Sequence, residues 1–182
     1  MTKKAEQLAR EVLQRNGVLE LPTPVEKLVS KSGLRVIKQS LPRDTSAVIV
    51  RTPAGDRLIG VNSAHSPTRQ RFSLAHELGH ALMHLPPNPP AEGDAVVDRP
   101  LEVLYRDGLS AKGKDKREIE ANSFAAELLM PAALVSPSFL AHLRGQPRRG
   151  TDQIIRTLAF ECDVSPDAMR FRLVNLGLAD PA

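Results

Sequence analysis

Residues 66 to 85 read SPTRQRFSLAHELGHALMHL, the most informative segment of the chain for its fold. Ser66 followed by Pro67 pairs a helix N-cap with a first helical residue, and the two prolines after Leu85 end the run. The pattern therefore predicts one helix from Ser66 to about Leu85. We expect this helix to be mostly buried, because its flanking apolar or small residues are Phe72, Ala75, Leu78, Gly79 and Leu82.

The predicted helix carries the motif H-E-x-x-H at His76, Glu77 and His80. Four helical residues rise about 6 Å and make a little over one turn, so both imidazoles leave one face and can meet one tetrahedral ion. Glu77 then lies beside the metal, where its carboxylate can take a proton from metal-bound water. By accident, this spacing arises in roughly one chain of this length in a few hundred. The motif predicts a zinc site with Glu77 as general base.

A catalytic zinc takes three protein ligands and one water, so a third ligand must come from another element. A second helix, predicted over about 115 to 130, offers Glu118, Glu120 and Glu127. One stripe of this helix, which we expect to be solvated, consists of Lys116, Glu120, Ser123 and Glu127. A different face, which we expect to meet protein, holds Glu118, Asn122, Ala125 and Leu129. Glu118 is therefore the predicted third ligand, and Asn122 can hydrogen-bond a histidine ligand.

The remaining histidines and the only tyrosine have weaker assignments. His84 continues the i, i+4 series, but along a helix it lies about 12 Å from His76, too far to share one ion. His84 either lines the pocket or supports a metal ligand, or it is an ordinary histidine at the end of a helix. His65 and His142 are isolated and expected at the surface. Tyr105 and His84 are candidates for a further electrophilic donor.

The sequence before the motif predicts two helices and a small sheet. A helix over 3 to 16 ends at Gly17, and a shorter one opens at Thr23, with Glu26 completing a capping box, and stops near Gly33. Three strand-like runs follow at 34 to 39, 47 to 51 and 58 to 61. We expect them to form an antiparallel sheet packed on the His-bearing helix.

The rest of the chain is predicted to be a surface excursion followed by helices. Residues 86 to 114 are rich in Pro, Gly and Asp with little periodicity, and are expected beside the site. Helices are predicted over 152 to 160 and over 166 to 175, the second with Ser165 as N-cap and Gly177 as stop. The fold class is therefore α+β, as one domain over 1 to 182, with a zincin-like core to about 130 and a helical part from about 131.

Composition places the chain among cytoplasmic proteins outside membranes. It has 182 residues, 41% of them hydrophobic, and no apolar run approaches the roughly 18 residues of a membrane span. Its beginning lacks the apolar stretch of a secretory signal, and Cys162 is the only cysteine, so no internal disulfide forms. The net charge of +4 comes from cations interleaved with 21 acidic residues, which argues against nucleic acid as the primary partner.

A DNA-binding role for the C-terminal helices is one alternative. Residues 154 to 173 suggest two helices joined by a turn, with Arg170 and Arg172 on the second. Core packing explains the apolar residues of this region more economically: Ile155, Leu158, Phe160, Val164, Met169 and Leu173.

Two blocks, residues 71 to 84 (RFSLAHELGHALMH) and 118 to 131 (EIEANSFAAELLMP), closely resemble the ImmA/IrrE family of bacterial metallopeptidases. The resemblance extends through FECDVS at 160 to 165 to LGL at 176 to 178, and covers roughly residues 5 to 178. It implies a gluzincin-like endopeptidase in which His76, His80 and Glu118 bind the metal and Glu77 is the base. Residues 86 to 114 have no counterpart in the family pattern.

The resemblance also implies a substrate, a helix-turn-helix transcriptional repressor whose cleavage releases stress-response or mobile-element genes. We expect zinc as the metal, with manganese as the alternative. The competing hypothesis is a non-catalytic regulator that contains a structural metal and binds the repressor without cutting it.

Overall fold

The computed structural model describes residues 2–51, 56–85, 111–145 and 150–180. In chain order, these residues form helix α1 (Lys3–Arg15), helix α2 (Val25–Lys31), strands β1 (Leu34–Gln39), β2 (Ala47–Arg51) and β3 (Arg57–Asn62), and helices α3 (Pro67–Met83), α4 (Ala111–Leu129), α5 (Ala132–Gly145), α6 (Thr151–Cys162) and α7 (Pro166–Asn175). The predicted α+β class with C-terminal helices is confirmed.

The sheet is mixed, with strand order β1-β3-β2. Strands β2 and β3 pair antiparallel as predicted, but β1 pairs parallel to β3, so the expectation of an antiparallel sheet was wrong for that pair. The chain between β1 and β2 crosses to the far edge of β3, and buried Asn62 holds that crossing. Its Nδ2 donates to the carbonyl oxygens of Leu41, Pro42 and Thr45, at 3.2, 3.2 and 2.8 Å.

The start of α2 differs from the predicted capping box. Pro24 is the N-cap, and no side chain caps the helix. Thr23 is fully buried, and its hydroxyl donates instead to the Leu128 carbonyl oxygen of α4 at 2.8 Å. Arg71 of α3 donates to the Thr23 carbonyl oxygen at 2.9 Å. A buried hydroxyl needs an acceptor, and the tertiary one replaces the local cap.

The caps and glycine stops predicted for α1, α3 and α7 are confirmed. The Ser66 and Ser165 hydroxyls accept from the backbone N–H three residues later, at the starts of α3 and α7. The predicted stops Gly17 and Gly177 have φ of 63° and 68°, the left-handed region that glycine tolerates. Helix α4 begins at Ala111 rather than at about 115, so the predicted excursion over 86 to 114 is wrong for its last four residues. Leu82, expected to be buried, is 36% exposed and lies on the solvent side of α3.

Helix α3 packs against β2 and β3 and also against α4. Gly79 sets the approach of the two helices, because a Cβ at this position would lie 3.0 Å from Cδ1 and 3.2 Å from Cγ of the buried Phe124. A glycine inside a helix costs about 1 kcal/mol relative to alanine. In return, α4 lies close enough to present its side chains to the His-bearing face of α3.

Glu127 and Ser123 of α4 are not solvated, which corrects the predicted polar stripe. They are 1% and 2% exposed. Glu127 forms ion pairs with Arg172 of α7, itself fully buried, and with Arg10 of α1, whose Nη1 lies 3.4 Å from Glu127 Oε1. Ser123 Oγ accepts from the Thr2 amide at 3.1 Å. The spacing of polar residues along α4 can be read from the sequence, but the distant partners that allow Glu127 and Ser123 to be buried cannot.

Arg172 completes this cluster. Its Nε donates to the Met130 carbonyl oxygen at 3.0 Å, and its Nη1 lies 3.6 Å from Glu6 Oε1. The buried residues of α1, the sheet, α3, α4 and the C-terminal helices form one continuous hydrophobic cluster around it.

The two arginines that the DNA-binding alternative relied on both have partners within the protein. Arg172 is buried, and Arg170 pairs with Asp152 at 2.5 Å. Of the apolar residues assigned to the core, Phe160 is 87% exposed, so that assignment was wrong; the other five are buried. Cys162 is also buried, and burial raises the pKa of its thiol to about 12.

No single helix among the described residues has both the length and the apolar composition of a membrane span. Helices α4 and α5 satisfy those criteria only when taken together, and the chain bends by 58° between them.

Candidate metal centre

Helix α3 presents two imidazoles to one point, and α4 adds a carboxylate. His76 Nε2 lies 2.9 Å from His80 Nε2. Glu118 Oε2 lies 3.3 Å from His76 Nε2, and Glu118 Oε1 lies 3.4 Å from His80 Nε2. The three residues are the one such group of potential metal ligands in the described part of the chain, with ligand atoms all within 4.8 Å of one another.

This cluster fits a tetrahedral zinc ion. With ligand bonds of about 2.1 Å, tetrahedral geometry separates ligand atoms by about 3.4 Å, close to the distances between these three side chains. Two imidazoles and one carboxylate form a donor set typical of catalytic zinc, which leaves the fourth position open. Side-chain exposure falls from 40% at Glu118 to 16% at His76 and 3% at His80, so the centre opens to solvent on the Glu118 side.

The other ring nitrogen of each histidine has its own partner. His76 Nδ1 lies 3.0 Å from Asn122 Oδ1 on α4. His80 Nδ1 lies 3.0 Å from His84 Nδ1, and His84 Nε2 lies 3.0 Å from Glu120 Oε2. Metal-binding histidines commonly donate this second N–H to a carboxylate, a carbonyl or water, which fixes the ring orientation.

Charges at the cluster shift the pKa values of its members in opposite directions. Hydrogen bonds from His76 and His80 hold the pKa of Glu118 well below its ordinary value. Burial alone would lower the pKa of His76, but the carboxylates of Glu118 and Glu77, with Asn122, raise it above 6.5 overall. In the metal-free protein, the surroundings therefore favour the ionised form of Glu118 and the protonated form of His76. A divalent cation can replace that proton.

Glu77 follows His76 directly in α3 and is partly buried. Its negative charge contributes to the raised pKa of His76, which places it within electrostatic reach of the centre. It does not belong to the group of three ligand atoms. A carboxylate near the cluster but outside the ligand group is compatible with the general base that the motif predicts.

Glu120 differs from its predicted surroundings, whereas His84 contacts a metal-ligand candidate, as one of its two predicted alternatives has it. Glu120 was expected on a solvated stripe, but its side chain is only 19% exposed and contacts His84. The His84 side chain is 7% exposed, and burial lowers its pKa despite the nearby Glu120. Both ring nitrogens of His84 face protein partners, so it is not placed as a donor to a substrate.

Among the described residues, His65 and His142 lie outside the cluster. Tyr105 and residues 86 to 110 fall outside the described residues. His65 is partly buried, and His142 Nε2 lies 3.6 Å from Glu161 Oε1. The sequence analysis missed the role of Gly79 in helix packing and the contact between His84 and Glu120. The position of Gly79 in the middle of a helix was the available signal for its packing role. The i, i+4 spacing of His80 and His84 was the available signal that His84 lies beside the site.

The motif, the helix phase and the site geometry agree with one family model. The IrrE N-terminal-like domain, Peptidase_M78, matches residues 29–174, which is most of the chain. The chain belongs to this family. The resemblance stated from the two central blocks is thereby confirmed.

Two known proteins illustrate the relationship. The "Uncharacterized immunity region protein 2" of Bacillus phage phi105 is 36% identical over 81 residues, which cover 44% of this chain and 42% of that protein. A solved structure titled "Mycobacterium tuberculosis transcriptional regulator" superposes with a TM-score of 0.59 and 18% identity over 94% of this chain. At that identity the likeness shows the fold alone. The matches span less than half the length of either protein.

Proposed function

We propose that this protein is a zinc-dependent endopeptidase whose metal is held by His76, His80 and Glu118, with manganese as the alternative metal. The observation that carries the proposal is the convergence of two ring nitrogens and a carboxylate at the spacing a tetrahedral ion requires. Membership of a peptidase family supports the same reaction class.

Zinc bound there would polarise the scissile carbonyl and lower the pKa of a water molecule towards about 7. The residues of the chain supply the rest. Glu77 removes the proton from the attacking water and returns it to the nitrogen of the leaving amine. Asn122 and His84 hold the two imidazoles in place through their outer nitrogens. The open side at Glu118 admits the peptide.

The proposed substrate is a helix-turn-helix transcriptional repressor in the cytoplasm, cut at one bond to release stress-response or mobile-element genes. The ImmA/IrrE resemblance supports this class of substrate. So does the name of the phage relative, which comes from an immunity region.

The test uses the zinc-loaded protein, the same protein stripped with a chelator, and a purified helix-turn-helix repressor encoded beside it. We expect mass spectrometry to find two repressor fragments with the zinc-loaded protein, intact repressor after chelation, and fragments again after zinc is restored. Equal cleavage by the stripped protein would contradict a metallopeptidase. A zinc-dependent complex with uncut repressor would instead favour the non-catalytic regulator.

A further inference from the structure

We propose that His84 and Glu120 are positioning residues, which hold His80 in the tautomer that turns its Nε2 lone pair towards the centre shared with His76 and Glu118. This inference rests on the proposed metal-dependent function and extends it. Neither residue belongs to the group that could ligate the ion. Their contribution would act through His80.

His80, His84 and Glu120 form a chain of contacts that leads away from the metal centre. His84 is the C-cap residue of α3, one turn after His80. The two Nδ1 atoms are 3.0 Å apart, with ring centroids 5.1 Å apart and planes tilted by 56°. His84 Nε2 then lies 3.0 Å from Glu120 Oε2 on α4. Since both outer side chains are largely shielded, water competes poorly for these bonds.

Glu120 determines which atoms donate and which accept in these hydrogen bonds. An ionised carboxylate only accepts hydrogen bonds, so His84 Nε2 must carry the proton that it shares with Glu120. A neutral His84 then presents a lone pair at Nδ1. His80 must donate to it from its own Nδ1, which leaves the lone pair of His80 on Nε2.

The opposite direction of hydrogen-bond donation is unfavourable for two reasons. If His84 donated from Nδ1, the proton of His80 would lie on Nε2, where it would block metal binding. His84 Nε2 would also turn a lone pair towards the Glu120 carboxylate, which repels it. His76 achieves the same orientation with one residue, because the Asn122 Oδ1 atom is itself an acceptor, 3.0 Å from Nδ1.

Two substitutions of His84 separate positioning from packing. In His84→Asn, the terminal oxygen can occupy about the place of Nδ1 and still accept from His80. In His84→Gln, the terminal amide reaches about the place of Nε2, so it keeps a bond to Glu120 but removes the acceptor for His80. We expect zinc affinity, measured by competition with a chromophoric chelator, to change less than about threefold in the first and to fall about tenfold or more in the second.

The control is His142→Gln, which alters another histidine that faces a glutamate, Glu161 at 3.6 Å, outside the cluster. Its zinc affinity should match that of the unmodified protein. Equal losses in His84→Asn and His84→Gln, or undiminished affinity in His84→Gln, would overturn the positioning role.

A second readout uses the unmodified, zinc-loaded protein and so does not depend on whether the variants fold. Long-range ¹⁵N–¹H correlation spectra should show the His80 proton on Nδ1 and the His84 proton on Nε2. A proton on His84 Nδ1 would overturn the proposal. Failure of the unmodified protein to bind zinc would defeat the proposed function as well, whereas zinc-dependent cleavage with the wrong His84 tautomer would defeat the positioning role alone.

Discussion

Two of the glutamates on helix α4, Glu127 and Glu118, face partners of different kinds. Glu127 is 1% exposed and meets the permanently charged Arg172 and Arg10. Glu118 is 40% exposed and meets His76 and His80, whose charge depends on pH. Because these guanidinium groups are always charged, residues of the chain itself balance the charge of Glu127. The Glu118 site leaves room for a cation from outside the chain.

This difference separates two kinds of charged site, one buried and one partly exposed. Around Glu127, the ion pairs join α1, α4 and α7, so their loss should appear as lost stability. Around Glu118, the ligand atoms converge on a point in space, so their loss should appear as lost metal affinity.

The largest effect is expected from Arg172→Met. The substitution keeps much of the side-chain volume but leaves Glu127 buried without its main partner, which should lower the free energy of unfolding by about 3–5 kcal/mol. Urea denaturation of the metal-free protein measures this loss. Zinc stoichiometry of the folded fraction should stay unchanged, and loss of zinc binding from folded Arg172→Met protein would erase the distinction between the sites.

The opposite pattern is expected from Glu118→Gln. An amide is a poorer ligand than a carboxylate, so zinc affinity should fall at least about tenfold, or about 1.4 kcal/mol, and cleavage should be lost. Glu11→Gln, an exposed change on α1, is the matched control. The loss should exceed that of Glu120→Gln, because Glu120 acts through His84. A severe loss in Glu120→Gln with near-native affinity in Glu118→Gln would reassign the third ligand.

Acid should weaken the Glu118 site through His76. The raised pKa of His76 gives the metal-free protein stability that is full below 6.5 and is lost as pH rises through the higher folded pKa. The lowered pKa of Glu118 gives stability that is present above 4.5 and is lost as pH falls through the folded value. Zinc competes with the proton on His76, so its affinity should fall by up to about tenfold per pH unit below that pKa.

Thermal unfolding with and without zinc tests this pH dependence. The increase in Tm caused by zinc should be larger at pH 8 than at pH 6, because bound metal stabilises only the folded state. An equal increase at both pH values would show that no histidine proton competes with the metal.

A smaller effect is expected from Gly79→Ala. The new methyl group would press on Phe124 at about 3.0 Å, so α4 must shift slightly and carry Glu118 and Asn122 with it. Better helix propensity offsets part of the cost in stability. We expect zinc affinity to fall about threefold, or about 0.6 kcal/mol. Gly145→Ala, with open space around its Cβ position, is the control and should change nothing.

The sequence predicted those features that local patterns encode. Caps at Ser66 and Ser165, stops at glycine, and the spacing of His76 and His80 depend on neighbours within a few residues. The class of the fold followed from their order. The relative phase of Glu118 and Asn122 on α4 also followed from helical geometry, and the structure places both residues beside the histidines.

Features that depend on distant partners could not be predicted in this way. The parallel pairing of β1 requires a crossing held by Asn62, and the burial of Glu127 requires Arg172, 45 residues later. Thr23 was expected to cap α2 and instead donates to α4. For Glu127 and Thr23, a polar side chain took a tertiary partner where a solvated or local one was expected.

The most direct test of the central claim is Glu77→Gln, measured for zinc content and repressor cleavage in one preparation. Glu77 lies outside the ligand group, so the variant should keep one zinc per chain. An amide cannot accept the proton of the attacking water, so cleavage should fall by orders of magnitude. Cleavage at near the original rate by the zinc-loaded Glu77→Gln protein would contradict the mechanism.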